Sequence, residues 1–113
     1  MRPCPFCRIA AGEAEARIVY QDEIVTAFHD RNPQAPVHVL IVPNEHIESI
    51  KDVGAEDADL VGKLFVVARD IAEEQGLTAG YRLVVNTGSQ AGQSVYHLHV
   101  HLLGGRPMSW PPG

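Results

Sequence analysis

Three of the chain's six histidines, His97, His99 and His101, alternate with Leu98, Val100 and Leu102. In an extended strand, side chains two residues apart project from the same face. The spacing therefore predicts a row of three imidazoles on one face and an aliphatic row on the other. Imidazole ionises near neutrality, so such a row can supply a nucleophile, a proton donor or acceptor, or metal ligands. The plain alternative is a polar strand face that happens to be rich in histidine.

The two cysteines form Cys4-Pro5-Phe6-Cys7. A pair at this spacing can be a redox couple, half of a zinc site, or two inert thiols. The redox motif normally follows a strand and opens a helix in a βαβ unit, and nothing strand-like precedes Cys4. Zinc requires four ligands, and histidine is the obvious source of the other two.

The segment from Asn86 to Ser94 is a polar loop that feeds into the histidine row and carries Gly88 and Gly92. Glycine lets backbone N–H groups turn toward an anion. Beside three aligned imidazoles, such a loop points to a phosphate or nucleotide ligand.

These groups need a scaffold, and the remaining pattern supplies one. Phe6 to Gly12 reads as a short helix stopped by Gly12. Arg17–Tyr20 and Ile24–Asp30 read as strands joined by the turn Gln21-Asp22-Glu23, a hairpin with Ile24, Thr26, Phe28 and Asp30 on one face. Arg31 to Pro36 holds two prolines and must be a loop. Val37–Val42 reads as a strand buried on both faces, with His38 the exception inside it. Pro43 to His46 forms a turn. From Ala55 to Gln75 the pattern is helical, with Leu60, Leu64, Val67 and Ile71 on one face. Its first turn is acidic (Glu56, Asp57, Asp59), and Gly76 suits the left-handed stop. Tyr81–Val85 is a fourth strand, ending at Asn86. The tail, residues 104–113, is too rich in Gly and Pro for regular structure, yet its Trp110 is expected to dock. The sum is a single α+β domain over residues 1–113, an antiparallel sheet of about five strands with one long helix and a short N-terminal one.

The formal charge of −5 argues against a nucleic-acid partner, which calls for a basic patch. It leaves room for a nucleotide held by a few local donors. No apolar run reaches the length of a membrane span. Met1-Arg2-Pro3-Cys4 lacks the apolar core of a signal peptide, so a cytoplasmic location is expected.

His97-Leu98-His99-Val100-His101-Leu102-Leu103 resembles the His-φ-His-φ-His-φ-φ signature of the histidine triad (HIT) family. Phe28-His29-Asp30, the stretch Pro33 to His38, Tyr81 to Asn86, Gly92 to Tyr96, and Trp110-Pro111-Pro112-Gly113 resemble its Hint branch, the histidine triad nucleotide-binding proteins. The similarity spans nearly the whole chain. It implies a homodimer with the HIT-like fold that hydrolyses adenosine 5′-phosphoramidates to AMP and an amine, a purine nucleoside phosphoramidase.

The same resemblance implies roles. His99 attacks the α-phosphorus and forms a nucleotidyl-histidine. His101 donates to a phosphate oxygen, and Ser94 serves the phosphate or the leaving nitrogen. Asp30 takes the ribose hydroxyls, while Phe6, Ile9, Phe28 and Leu40 wall the purine. Asn86, Gly92 and Gln93 lie along the phosphate and ribose. Arg31 departs from the aliphatic residue of animal members and contributes backbone beside the ribose. Trp110 reaches toward the partner's site. His29 is left without a role, and His38 is expected to be a core histidine satisfied by one hydrogen bond. Bacterial members bind structural zinc through residues that correspond to Cys4, Cys7, His46 and His97, whereas animal members lack the cysteines. Two neighbouring readings compete: a dinucleoside polyphosphate hydrolase of the same superfamily, and a non-catalytic nucleotide-binding module.

Overall fold

The computed structural model describes residues 4–113; Met1, Arg2 and Pro3, on which the expectation about a signal peptide partly rests, lie outside the described residues. A short helix, α1 (Pro5–Ala10), is followed by strands β1 (Ile18–Gln21), β2 (Val25–His29) and β3 (Val37–Pro43). Helix α2 (Ala58–Glu74) then leads to β4 (Tyr81–Val84) and β5 (Val100–Gly104). All pairings are antiparallel, and the order across the five-stranded sheet is β1-β2-β3-β5-β4. The expected fold class and element order are those observed.

β3 lies at the centre because both of its faces are apolar, and it is buried from His38 to Pro43. On one face Val39 and Ile41 join Val25, Ala27, Leu98, Val100 and Leu102 against Leu64, Val67 and Ile71 of α2. This is the main core. On the opposite face Leu40 and Val42 join Phe28 and Phe6, with Ile9 packed alongside. Period two in the strands thus sorts side chains to α2 or to α1.

Two expected boundaries shift for local reasons. The long helix begins at Ala58, because Ala55–Asp57 is a separate 3-10 turn closed by the Gly54 N–H on the Asp57 carboxylate at 3.0 Å. Its C-terminus is stopped as expected, with Gly76 at φ 74° and the Leu77 N–H returning to the Ala72 carbonyl at 3.0 Å. The last strand begins only at Val100, so His97 and His99 precede it instead of lying within it. Leu98 spends its N–H on the Ile47 carbonyl at 2.7 Å, outside any strand ladder.

The tail also differs from expectation. Arg82 donates to the Ser109 carbonyl at 2.8 Å, and Arg106 donates to the Gln34 carbonyl at 2.9 Å. These bonds hold the tail through the Ser109 carbonyl and the Arg106 side chain and leave Trp110 82% exposed, so the indole does not dock on the rest of this chain. Among the described residues no helix is long and apolar enough to cross a membrane.

Candidate active site

The imidazoles of His97, His99 and His101 lie on the α1 side of the sheet, while Leu98, Val100 and Leu102 enter the main core. The alternation therefore survives although only His101 sits on a regular strand. The rings of His99 and His101 have centroids 4.9 Å apart. Phe6, projected by α1, packs edge-on against His99 at 5.2 Å and against Phe28 at 5.3 Å. Phe6, Ile9, Phe28 and Leu40 thus come together as one apolar wall beside His99.

His99 is buried, and its Nδ1 lies 2.7 Å from the His97 carbonyl oxygen. A carbonyl can only accept, so Nδ1 carries the proton and Nε2 keeps a lone pair. Burial holds the His99 pKa below its ordinary value, against the opposing bond to the His97 carbonyl and the charge of Asp30. The neutral, nucleophilic form is therefore favoured. Burial, followed by the His99 and His38 rings, pushes His101 down to about 4. The Nε2 of His101 is buried and finds no hydrogen-bond partner among the described residues.

His38 is buried, as expected, but it is not satisfied by a single bond. Its Nδ1 accepts from the Gln34 N–H at 3.0 Å, and its Nε2 lies 2.9 Å from His101 Nδ1. Asp30, just past the end of β2, places Oδ2 3.4 Å from the same Nε2. His29 shares its strand face with the core residues Val25 and Ala27, and so points away from the histidine row.

A second cluster adjoins the first. Cys4 Sγ lies 3.3 Å from His97 Nδ1, and Cys7 Sγ lies 3.3 Å from His46 Nδ1 and 3.5 Å from His97 Nδ1. The two Nδ1 atoms are 3.2 Å apart. His97 donates its Nε2–H to the Pro43 carbonyl at 2.8 Å, so its Nδ1 is a lone pair aimed into the cluster. A tetrahedral zinc ion with ordinary bond lengths sets its ligands about 3.6 Å apart for S and N and about 3.3 Å apart for N and N. The four atoms already stand near those edges, and the His97–Pro43 bond is the outer support that ligand histidines usually have. The cluster fits zinc. Burial, then the neighbouring Cys4, pushes the Cys7 thiol up to about 11, a cost that binding a divalent cation reverses.

The glycine loop is fixed from inside. Gly88 and Gly92 take φ of 87° and 93°, which other residues rarely adopt. Gln93 is buried; its Oε1 accepts from the Gly88 N–H at 2.9 Å, and its Nε2 donates to the carbonyls of Glu48 at 2.7 Å and Val95 at 3.1 Å. The Gln93 side chain is thus a loop clamp, and its own N–H closes the same turn on the Gly88 carbonyl at 3.1 Å. Ser94 is exposed and lines a cleft of about 290 Å³ with Cys4, His46 and Tyr96. Asn86, half-buried, follows β4 by two residues, and Arg31 is exposed. A larger cavity of about 610 Å³, bordered by Gly76 and Met108, holds none of these groups.

Sequence reasoning missed the Gln34 N–H on His38, the carbonyls that clamp Gln93, and the Arg106 contact. All three involve backbone atoms, for which residue identity carries no signal.

The model of the HIT domain family matches residues 11–108. The purine nucleoside phosphoramidase of Escherichia coli K12 is 51% identical over 104 residues, covering 91% of this chain and 87% of its own. A HIT-like protein of Synechococcus elongatus is 50% identical over 108 residues, covering 96% of this chain and 95% of its own. Among solved structures, a HIT family hydrolase from Legionella pneumophila superposes with a TM-score of 0.96 at 50% identity, covering 98% of this chain and 100% of that one. A histidine triad protein from Clostridium difficile superposes with a TM-score of 0.91 at 43% identity, covering 96% and 97% respectively.

Proposed function

The chain belongs to the HIT domain family, and from that premise we propose that it is a purine nucleoside phosphoramidase that hydrolyses adenosine 5′-phosphoramidates to AMP and an amine. The observation that carries this reading is the 2.7 Å bond from His99 Nδ1 to the His97 carbonyl, which leaves a buried, neutral Nε2 as nucleophile. His99 Nε2 attacks the α-phosphorus while the P–N bond breaks, and the amine departs with a proton taken from solvent through the exposed Ser94 hydroxyl. The positive charge gained by the imidazole is stabilised at Nδ1–H by the His97 carbonyl. His101 Nε2–H stabilises a non-bridging oxygen, where negative charge grows. Water then attacks phosphorus and gives its proton back to solvent, the P–Nε2 bond breaks, AMP leaves, and His99 returns to its neutral form.

The remaining residues hold the nucleotide. Phe6, Ile9, Phe28 and Leu40 wall the purine, Asp30 accepts from the ribose hydroxyls, and Arg31 contributes backbone beside them. Asn86, with the backbone of Gly92 and Gln93, borders the ribose and phosphate, and Ser94 serves the phosphate or leaving nitrogen. Cys4, Cys7, His46 and His97 would hold zinc, which would supply a structural crosslink with no part in bond-making. The four ligands themselves tie α1, and with it Phe6, to the carbonyl that orients His99.

The active form is a homodimer. Support comes from β4, whose outer edge pairs with no strand among the described residues, and from the outward apolar side chains of Val66 and Trp110. In a dimer Trp110 contributes to the partner's leaving-group side.

Phosphorus NMR with an adenosine phosphoramidate and diadenosine tetraphosphate offered together tests the assignment. Faster loss of the phosphoramidate is expected. Faster loss of the tetraphosphate would move the chain to the dinucleoside polyphosphate hydrolases, and turnover of neither would leave a binding module.

A further inference from the structure

The phosphate role of His101 requires a proton on Nε2, yet a neutral imidazole can carry it on either nitrogen. We infer that His38 is a positioning residue that locks His101 into the Nε2–H form, and that Gln34 and Arg106 hold His38 to that task.

Donors and acceptors around His38 leave one arrangement of protons. The Gln34 N–H can only donate, and it meets His38 Nδ1 at 3.0 Å. His38 Nδ1 is therefore an acceptor, and the proton of its neutral ring sits on Nε2. That proton points at His101 Nδ1, 2.9 Å away, which must accept it. The proton of His101 is thereby forced onto Nε2, the buried atom with no partner among the described residues. The reverse arrangement would set His38 Nδ1–H against the Gln34 N–H, two donors at hydrogen-bond distance.

A metal at this place fails by the same count. Asp30, His38 and His101 bring three ligand atoms within 4.8 Å of one another. Coordination through His38 Nε2 would move its proton to Nδ1 and recreate the clash with Gln34. The cluster is therefore a fixed chain of hydrogen bonds. Asp30, at 3.4 Å from Nε2, is the longer and weaker of the two acceptors.

The chain extends to the tail. Gln34 lies in the proline-flanked loop and is exposed, so the loop needs a tether. Arg106 supplies one, with Nε on the Gln34 carbonyl at 2.9 Å. A guanidinium near the C-terminus thus steadies the backbone that fixes His38, which fixes His101.

The inference rests on the phosphoramidase reading for its purpose, though its structural content stands alone. Nitrogen-15 NMR of the histidine rings in the ligand-free, full-length protein at neutral pH reads the tautomers without any substrate. His101 is expected to show the proton on Nε2 and His99 to show it on Nδ1. In His38→Leu the two nitrogens of His101 should move toward averaged shifts, while His99, held by the His97 carbonyl, stays unchanged and reports an intact fold. Turnover should fall at least about tenfold in kcat with little change in KM. His38→Gln, whose amide N–H can reach His101 Nδ1, should recover part of the loss. Arg106→Gln should loosen the same tautomer by a smaller amount. A wild-type His101 protonated on Nδ1 would overturn the inference, whether or not the Leu variant folds. So would a Leu variant in which His101 keeps its tautomer, or loses it without loss of kcat. Failure of the phosphoramidase reading would appear differently, as absent turnover with the wild-type tautomers in place.

Discussion

His97 holds His99 by its backbone while giving its own ring to a different cluster. Its carbonyl accepts from His99 Nδ1 at 2.7 Å, and its Nδ1 stands 3.3 Å from Cys4 Sγ. One residue thus joins the candidate metal centre to the candidate nucleophile, and a change at either is felt by the other.

Metal analysis of protein prepared without a chelator should therefore find one zinc per chain. Cys7→Ser removes one of the four ligands and should release the zinc, lowering turnover by roughly 10-fold through the loosened support of the His97 carbonyl. Absence of zinc with both thiols freely titratable would remove the assignment.

The depressed histidines make stability depend on pH. An unfolded histidine titrates near 6.5, whereas His101 in the fold titrates at about 4. Between those values the unfolded chain binds more protons, so stability rises with pH. The contribution is complete above about pH 6.5 and is lost as pH falls toward 4. Urea midpoints across this window should drop on the acid side, and His101→Gln should flatten the slope. An unchanged slope would show that the group titrates normally.

Asp30 divides its two oxygens. Oδ1 accepts from the Asn32 N–H at 2.8 Å, and Oδ2 lies beside His38. If Oδ2 also meets the ribose, Asp30→Ala should raise KM about tenfold for ribonucleoside phosphoramidates. The 2′,3′-dideoxy analogue should respond far less, and an equal response would place Asp30 away from the sugar.

Leu64 is fully buried between α2 and the sheet, far from the reacting groups. Leu64→Ala should cost about 3 kcal/mol by urea unfolding, through lost burial and the cavity left behind. Activity of the folded fraction should persist. A loss below about 1 kcal/mol would mean that α2 packs loosely.

Much of this was legible before any coordinates. Period two in residues 97–102 marks which side chains face α1, and the spacing of Leu64, Val67 and Ile71 marks the buried stripe of α2. Cys4 and Cys7 announce half of a ligand set, and the resemblance supplies His46 and His97, which the fold brings to the same point. What could not be read is carried by backbone atoms. The Gln34 N–H sets His38, the Ile47 carbonyl delays β5, and the Glu48 carbonyl turns Gln93 inward. Every residue owns such atoms, so no pattern of side chains reveals which will be used. The way the tail is held was unreadable for a related reason, since it is anchored through the Ser109 carbonyl while Trp110 stays exposed on this chain.

The central claim is that His99 becomes covalently nucleotidylated, and it is tested most directly by trapping. The protein is mixed with an adenosine phosphoramidate, quenched within the first turnover under alkaline denaturing conditions that preserve phosphohistidine, and mapped by mass spectrometry. The account expects one adenylyl group on the peptide containing His99, absent in His99→Ala, which should still bind AMP. An adenylyl group on another residue, or full turnover by His99→Ala, would contradict it.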